Sequence, residues 1–435
     1  MGYICLSLIE RNLLDFLMES CDASPKNTVP LQSRPNLIVR KILRSKKLTR
    51  ILCFLISKRT LVSFSDAICI SPNILQDSIL IPEPKIYVGA PCKNVLRGDV
   101  CEALPVPGVA VFENAEVRGG SNFVFLSDGR VLHHDLLKFA TDRVPEEGGR
   151  QGLRFDVASG KIWCLNLGGA DRWLAEGAVF CDGVARNYAH WLTEVLPRIA
   201  LFYAEPGRSG IPLIVDQGLH ENIMASLRTV LPSQAKIYLL PCGVSLSIKK
   251  LHYVHAVGYI PFEPRGKKAI GHSHGVFAPD AMKSMVLRIK TCFSMHEANS
   301  RRRIYVKRNS GVRNMINSSE VEAMLVELGF VVVEPEKMNF EEQVRVFHEA
   351  EVVVGATGAA MANLLFCCAP CRIVIFMSTH PDTPYYYWQS VATSVGLQVG
   401  YVLCPPVSPN PASVHCDFIA PVDEFRKVLG AEFGV

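Results

Sequence analysis

The last third of the chain predicts an α/β fold built on a doubly wound parallel sheet, and three observations carry that expectation. Nearly continuous apolar runs, FVVVEP, EVVVG and CRIVIFM, have the length and β-branched content of strands buried on both faces. Segments of helical periodicity separate them, and strands alternating with helices make a parallel sheet covered on both sides. Cap signals sit at the joints, with Gly329 ending one helix and Asn339 opening the next.

In chain order, RRIYVKR reads as a strand. Ser319-x-x-Glu322 reads as a capping box opening a helix with apolar face Val321, Met324, Leu325 and Leu328. FEEQVRVFHEA, MANLLF and Tyr385 to Val395 read as helices, and VGYVLC as a strand. Upstream, Asn187 to Tyr203 predicts a helix, followed by strand IPLIV, helix HENIMASLRTVL, and strands KIYLL and LHYVHAV. From Lys85 to about Leu167, short alternating runs separated by Gly119-Gly120 and Ser127-Asp128-Gly129 predict β-hairpins. Residues 261–275 lack periodicity and read as a linker. The divisions expected are a basic amphipathic leader (1–85), a first lobe (86–270), a second lobe (271–420) and a C-terminal helix (421–435).

The chain has 435 residues, 49% apolar and 20% charged, which excludes global disorder and gives two domains as the prior. The net charge of +5 demands no nucleic-acid partner. Fifteen cysteines, scattered without regular spacing, argue against a disulfide scaffold and for a reducing, cytoplasmic setting. Cys367, Cys368 and Cys371 lack the second paired motif of a zinc site, so no metal is expected. No run of 18 apolar residues predicts a spanning helix. From Ala23 to Ser65, ten basic residues and no acidic one interleave with Leu37, Ile38, Ile42, Leu43, Ile51 and Leu52. Such a segment suits the inner, anionic membrane surface, and equally an ordinary solvated helix or leader.

Chemistry has three candidate places. EVVVGATGAAMANLLF is a buried strand running into a tight Gly355–Ala360 loop and a helix, where free N–H groups favour a phosphate and Thr357 adds a hydroxyl. Lys307, Arg308 and Arg313 leave the end of a neighbouring strand, and guanidinium forks match phosphate oxygens. On NYAHWLTEVLPRIALF, Asn187, His190, Glu194 and Arg198 form one polar stripe opposite Leu192, Val195, Leu196, Ile199 and Phe202. His190 suits a general base with Glu194 to orient it, and Pro197 predicts a kink. There is no D-x-D, no G-x-G-x-x-G and no phosphate-binding Walker loop.

The N-Y-x-H-W-x-x-E-x-L-P-R block, the R-I-Y-x-x-R strand, the L-G-F-x-V-V-x-P-E stretch, the E-Q-V-x-x-F helix and the G-x-x-G-A-x-x-A-N-L-L-F loop occur in one order over about residues 85–405. This pattern resembles glycosyltransferase family 61. The resemblance implies a GT-B-like fold, two Rossmann-like lobes facing a cleft, and inverting, metal-independent transfer from a nucleotide-sugar donor to a glycan acceptor. It also implies a link to bacterial capsular or exopolysaccharide synthesis. The donor would then be bound by Lys307, Arg308, Arg313, Gly355, Thr357, Gly358, Ala359 and Asn363. His190 and Glu194 would be catalytic, with Asn187 and Arg198 on the acceptor side, and no cofactor would be needed. Thr357 stands where many relatives have His, and Ile375 where many have Glu. These departures keep open a non-catalytic scaffold in polysaccharide assembly; a dinucleotide-dependent oxidoreductase is opposed by the missing glycine fingerprint.

Overall fold

The computed structural model describes residues 56–69, 76–92, 96–105, 107–148, 153–165, 172–261, 263–266, 274–295, 302–309, 311–408 and 414–434. Two large sheets with helices between and around them make a mixed α/β architecture. The first is ten-stranded. Its four parallel strands, Ile237–Leu240, Leu213–Asp216, Trp173–Val179 and Ser245–Val254, lie side by side. The sheet is then extended by Val109–Arg118 running antiparallel to Ser245–Val254, and by Val124–Phe125 and Arg130–His133 as an antiparallel meander. Gly120 and Gly129, at φ of +77° and +88°, make the turns of that meander.

The second sheet is six-stranded and wholly parallel. Its order is Val331–Val333, Arg302–Val306, Ala350–Ala356, Arg372–Ser378, Val399–Cys404 and Lys85–Val88. Apart from the last strand, the order by sequence is 2-1-3-4-5, so the direction of winding reverses between Arg302–Val306 and Ala350–Ala356. The crevice outside the carboxyl ends of those two strands is where such sheets bind ligands.

The chain's beginning corrects the expected leader. Ile56–Ser63 is a strand of the ten-stranded sheet, parallel to Arg130–His133 and antiparallel to Lys161–Leu165. Lys58 and Arg59 sit in it because strand side chains alternate, one cation covering the Trp163 ring and the other the Phe125 ring. Lys85–Val88, placed at the leader's boundary, completes the edge of the second sheet. The part of the basic segment from 23 to 55 lies outside the described residues, as do most residues of the proposed linker. The capping box at Ser319 is also corrected. The helix is Ser318–Glu327, with Asn317 before it, whose side chain bonds Ala420 instead of capping. Glu322 is drawn away by Lys307. A capping box does form one helix later, between Asn339 and Glu342.

The two halves share an apolar core. Trp191, Leu192, Val195, Leu196 and Ile199 of the first half pack in the same buried cluster as Met282, Met285, Phe340, Phe347 and Leu364 of the second. Truncating one such Leu to Ala costs about 2–5 kcal/mol, so the halves are held together by burial. Among the described residues no helix is long and apolar enough to cross a membrane.

Candidate active site

The helix bearing the H-x-x-x-E pair is irregular for a local reason. Asn187 caps it, accepting from the Ala189 N–H at 3.0 Å. Pro197 has no N–H to donate, and the turn Trp191–Val195 opens to π geometry, with the Leu196 N–H reaching the Trp191 carbonyl. A π-turn widens the helix where the expected kink lies. Gly258 runs against it, and a Cβ there would collide with the Thr193 carbonyl oxygen.

His190 and Glu194 face one another one turn apart, with His190 Nδ1 to Glu194 Oε1 at 2.5 Å. Glu194 is 7% exposed and also accepts from the Ile260 N–H. In the neutral imidazole with Nδ1–H given to the carboxylate, Nε2 carries the lone pair, and His190 lines the cavity. Burial works against a charged imidazole here, yet the Glu194 charge and hydrogen bond outweigh it and hold His190 above the ordinary histidine value.

The second wall is built at the reversal of strand order. Arg302–Val306 runs into Lys307 and Arg308, and Ala350–Ala356 runs into Thr357 and Gly358. Arg308 lies over Gly358 so closely that a Cβ would collide with Nη1, which is why this loop carries glycine. Arg308 Nη2 donates to the Val312 carbonyl at 3.0 Å. The Nε atoms of both Arg308 and Arg313 are buried without a hydrogen-bond partner. Burial, and then the charge of Arg313, push the Arg308 guanidinium down to about 10, and burial lowers Arg313 too. Two half-buried cations side by side are costly unless an anion joins them. Thr357 Oγ1 accepts from Trp388 Nε1 at 2.9 Å, which leaves its own proton for another acceptor.

Between the walls is a cavity of about 600 Å³, within the usual size of small-molecule sites. Asn187, Ala189, His190 and Ile260 line one side, and Arg313, Thr357, Gly358, Ala359, Thr383, Tyr387 and Trp388 the other. Arg143, Glu263, Asp382 and His415 add charged or polar groups. Among the described residues, no group of three His, Cys, Asp or Glu side chains is arranged to hold a metal ion.

Six of the residues singled out from sequence thus line one cavity: Asn187, His190, Arg313, Thr357, Gly358 and Ala359. Other residues singled out are not among the cavity's lining. Lys307 Nζ is spent on Glu322 Oε2 at 2.8 Å. Gly355 is a packing position, where a Cβ would meet Met361 Sδ at 2.9 Å. Asn363 is fully buried, accepting from Tyr188 and donating to Gln343. Arg198 does not reach the cavity. Its guanidinium lies over the rings of Phe180 and Tyr253 and donates twice to the Val254 carbonyl, at 3.1 and 2.8 Å. Ile375 is fully buried in mid-strand.

Sequence reasoning missed Trp388 and Tyr387, whose signal is the aromatic run YYYW just after an apolar strand. It also missed Arg143 and Glu263, which no local pattern marks and which a two-residue strand pairing brings together.

A search of curated proteins returns no match. Residues 188–374 match the family model described as Glycosyltransferase 61. That stretch holds the histidine–glutamate pair, both half-buried arginines and the Thr357–Ala359 loop, so the similarity to a glycosyltransferase 61 domain covers both walls of the cavity.

Proposed function

We propose that the protein transfers a sugar from a nucleotide-sugar donor to a glycan acceptor, with inversion and without a metal ion, and that its halves act as the two lobes of a GT-B-like enzyme. One observation carries this reading. Arg313 lines a cavity with a small-residue loop at the reversal of strand order, Arg308 lies against Gly358 of that loop, both with unpartnered Nε atoms, and a histidine held by a buried carboxylate lines the same cavity. The donor's diphosphate sits against Arg308, Arg313, the Thr357 hydroxyl and the N–H groups after Gly358. His190 Nε2 removes the acceptor hydroxyl proton as that oxygen attacks the anomeric carbon from the face opposite the leaving group. Negative charge developing on the diphosphate is met by the guanidinium groups, the task a metal performs elsewhere. The absent D-x-D supports the metal-free form. The Thr357 hydroxyl, free to donate, favours an active enzyme over a non-catalytic scaffold. Surface or capsular polysaccharide synthesis, at the cytoplasmic face of a membrane, is the setting this reading implies.

A thermal-shift screen of UDP-, GDP-, dTDP- and CMP-sugars tests it. A donor at 100 times its dissociation constant adds about 2.7 kcal/mol. Stabilisation by one nucleotide class, lost in Arg313→Ala, is the expected result. A panel without effect on the wild-type protein contradicts the reading.

A further inference from the structure

A run of buried and half-buried hydrogen bonds crosses from one half to the other. Tyr188 Oη donates to Asn363 Oδ1 at 2.7 Å, and Asn363 Nδ2 donates to Gln343 Oε1 at 2.8 Å. Gln343 Nε2 then donates to the carbonyls of Pro335 and Met338, at 2.8 and 3.2 Å. Asn222, from the first half, donates to the same Met338 carbonyl at 2.9 Å. Asn363 is 0% exposed and Gln343 4%, and neither lines the cavity.

The ends of this run matter. Tyr188 belongs to the helical turn Tyr188–His190, two residues before His190. Asn363 belongs to the 3-10 helix Ala359–Phe366, which starts directly after Gly358. The run therefore joins the backbone that carries the base to the backbone that forms the anion loop. Each amide in it is oriented, with its oxygen accepting from one side and its nitrogen donating to the other. Sliding the halves would leave buried polar groups unpaired, a penalty that grease-like contacts do not impose. Side chain–side chain hydrogen bonds are a small minority in proteins, and a connected, buried set specifies one arrangement.

We infer that Tyr188, Asn363 and Gln343 are positioning residues that fix His190 Nε2 relative to the donor loop. The inference rests on the transferase reading above, with His190 as base. Misplacing a catalytic group by about 1 Å costs on the order of 10²-fold in rate, so the run has a kinetic consequence distinct from stability.

The test is a pair of double-mutant cycles, Tyr188→Phe and Gln343→Met, each made alone and with His190→Ala. Turnover is read as nucleotide release by donor hydrolysis, water taking the sugar in place of the acceptor, from a panel of UDP-, GDP-, dTDP- and CMP-sugars, and anion binding as calorimetric titration with pyrophosphate. Tyr188→Phe deletes one hydroxyl beside the cavity; Gln343→Met acts from the far end of the run, so either cycle suffices if one variant folds poorly. Each is expected to lower turnover by about 10–100-fold with His190 present and by less than about twofold without it. Pyrophosphate affinity should stay within about twofold throughout. Equal fold losses in both backgrounds would overturn the inference alone, since the residues would then not act through His190. No turnover by the wild-type protein on any donor, or full turnover by His190→Ala, would overturn it together with the reading on which it rests.

Discussion

Replacing Arg308 with Met should make the ligand-free protein more stable while destroying its anion site. The guanidinium is held at about 10 by burial and by the charge of Arg313. Its Nε has no partner, and its Nη2 donates to the Val312 carbonyl. Because the Arg308 side chain is only half-buried, solvent screening leaves about 1–2 kcal/mol of unfavourable charge burial. The sign follows from linkage. A cation with a lowered folded-state value destabilises the fold at every pH below about 10, and the cost is relieved only as pH rises through that value. Met keeps the stem volume and removes the charge. For a chain of this length, roughly 1 °C of melting temperature corresponds to 1 kcal/mol, so a rise of about 1–2 °C is expected. Scanning calorimetry with and without pyrophosphate is the assay. In the wild-type protein, pyrophosphate at 100 times its dissociation constant should raise the melting temperature by roughly 3 °C, and in Arg308→Met by less than about 1 °C. A lower ligand-free melting temperature in Arg308→Met would refute the reasoning, because the guanidinium would then be a net structural contact.

Three further outcomes are expected. Glu194→Gln removes the charge that lifts His190, so the acid limb of the kcat/KM profile should move to lower pH while the plateau falls by about 10²-fold; an unmoved limb would dissociate the pair. Glu146 is 1% exposed and is raised to about 7 by burial and then by the Asp182 charge. Its proton is retained on folding but lost from the unfolded chain above the ordinary carboxylate value, so Glu146→Gln should stabilise by about 2–3 kcal/mol at pH 8 and by little at pH 4, measured by urea unfolding; equal effects at both pH values would contradict this. Arg198→Met should cost about 1.5–3 kcal/mol of stability, through the two lost bonds to the Val254 carbonyl, yet leave the turnover of the folded fraction near normal; a selective rise in acceptor KM would return Arg198 to the site.

Much of the second half was legible because its signals are local. Long apolar strands, the Asn339 cap and the C-terminal Gly329, at φ of +79°, each declare an element within a few residues. The strand-to-loop junctions at Arg308 and Gly358 were visible as composition. That one arginine lies on that glycine was not, because it depends on two strands becoming neighbours in the sheet. The polar stripe of the first helix was read correctly in periodicity and incompletely in environment. His190 faces the cavity, Glu194 lies buried beside it, and Arg198 turns to a backbone carbonyl, a difference set by the π-turn and by surrounding strands. Asn363 looked like a ligand contact because it sits in a small-residue loop motif, whereas its partners, Tyr188 and Gln343, are 175 and 20 residues away in sequence. Lys58 and Arg59 misled in the other direction, since cations in an alternating strand resemble those of a basic helix until the pairing of Ile56–Ser63 is known.

The proposed transfer divides the labour between the halves, with the base on the helix of the first and the diphosphate site on the strand ends of the second. Nucleotide binding and turnover measured side by side in His190→Ala and Arg308→Met test it most directly, with UDP, GDP, dTDP and CMP as titrants and their sugars as donors. His190→Ala should bind nucleotide within about twofold of wild type and lose about 10²–10⁴-fold in turnover, and Arg308→Met should lose nucleotide affinity first. Near-normal turnover in His190→Ala, or parallel loss of nucleotide binding in both variants, would contradict it.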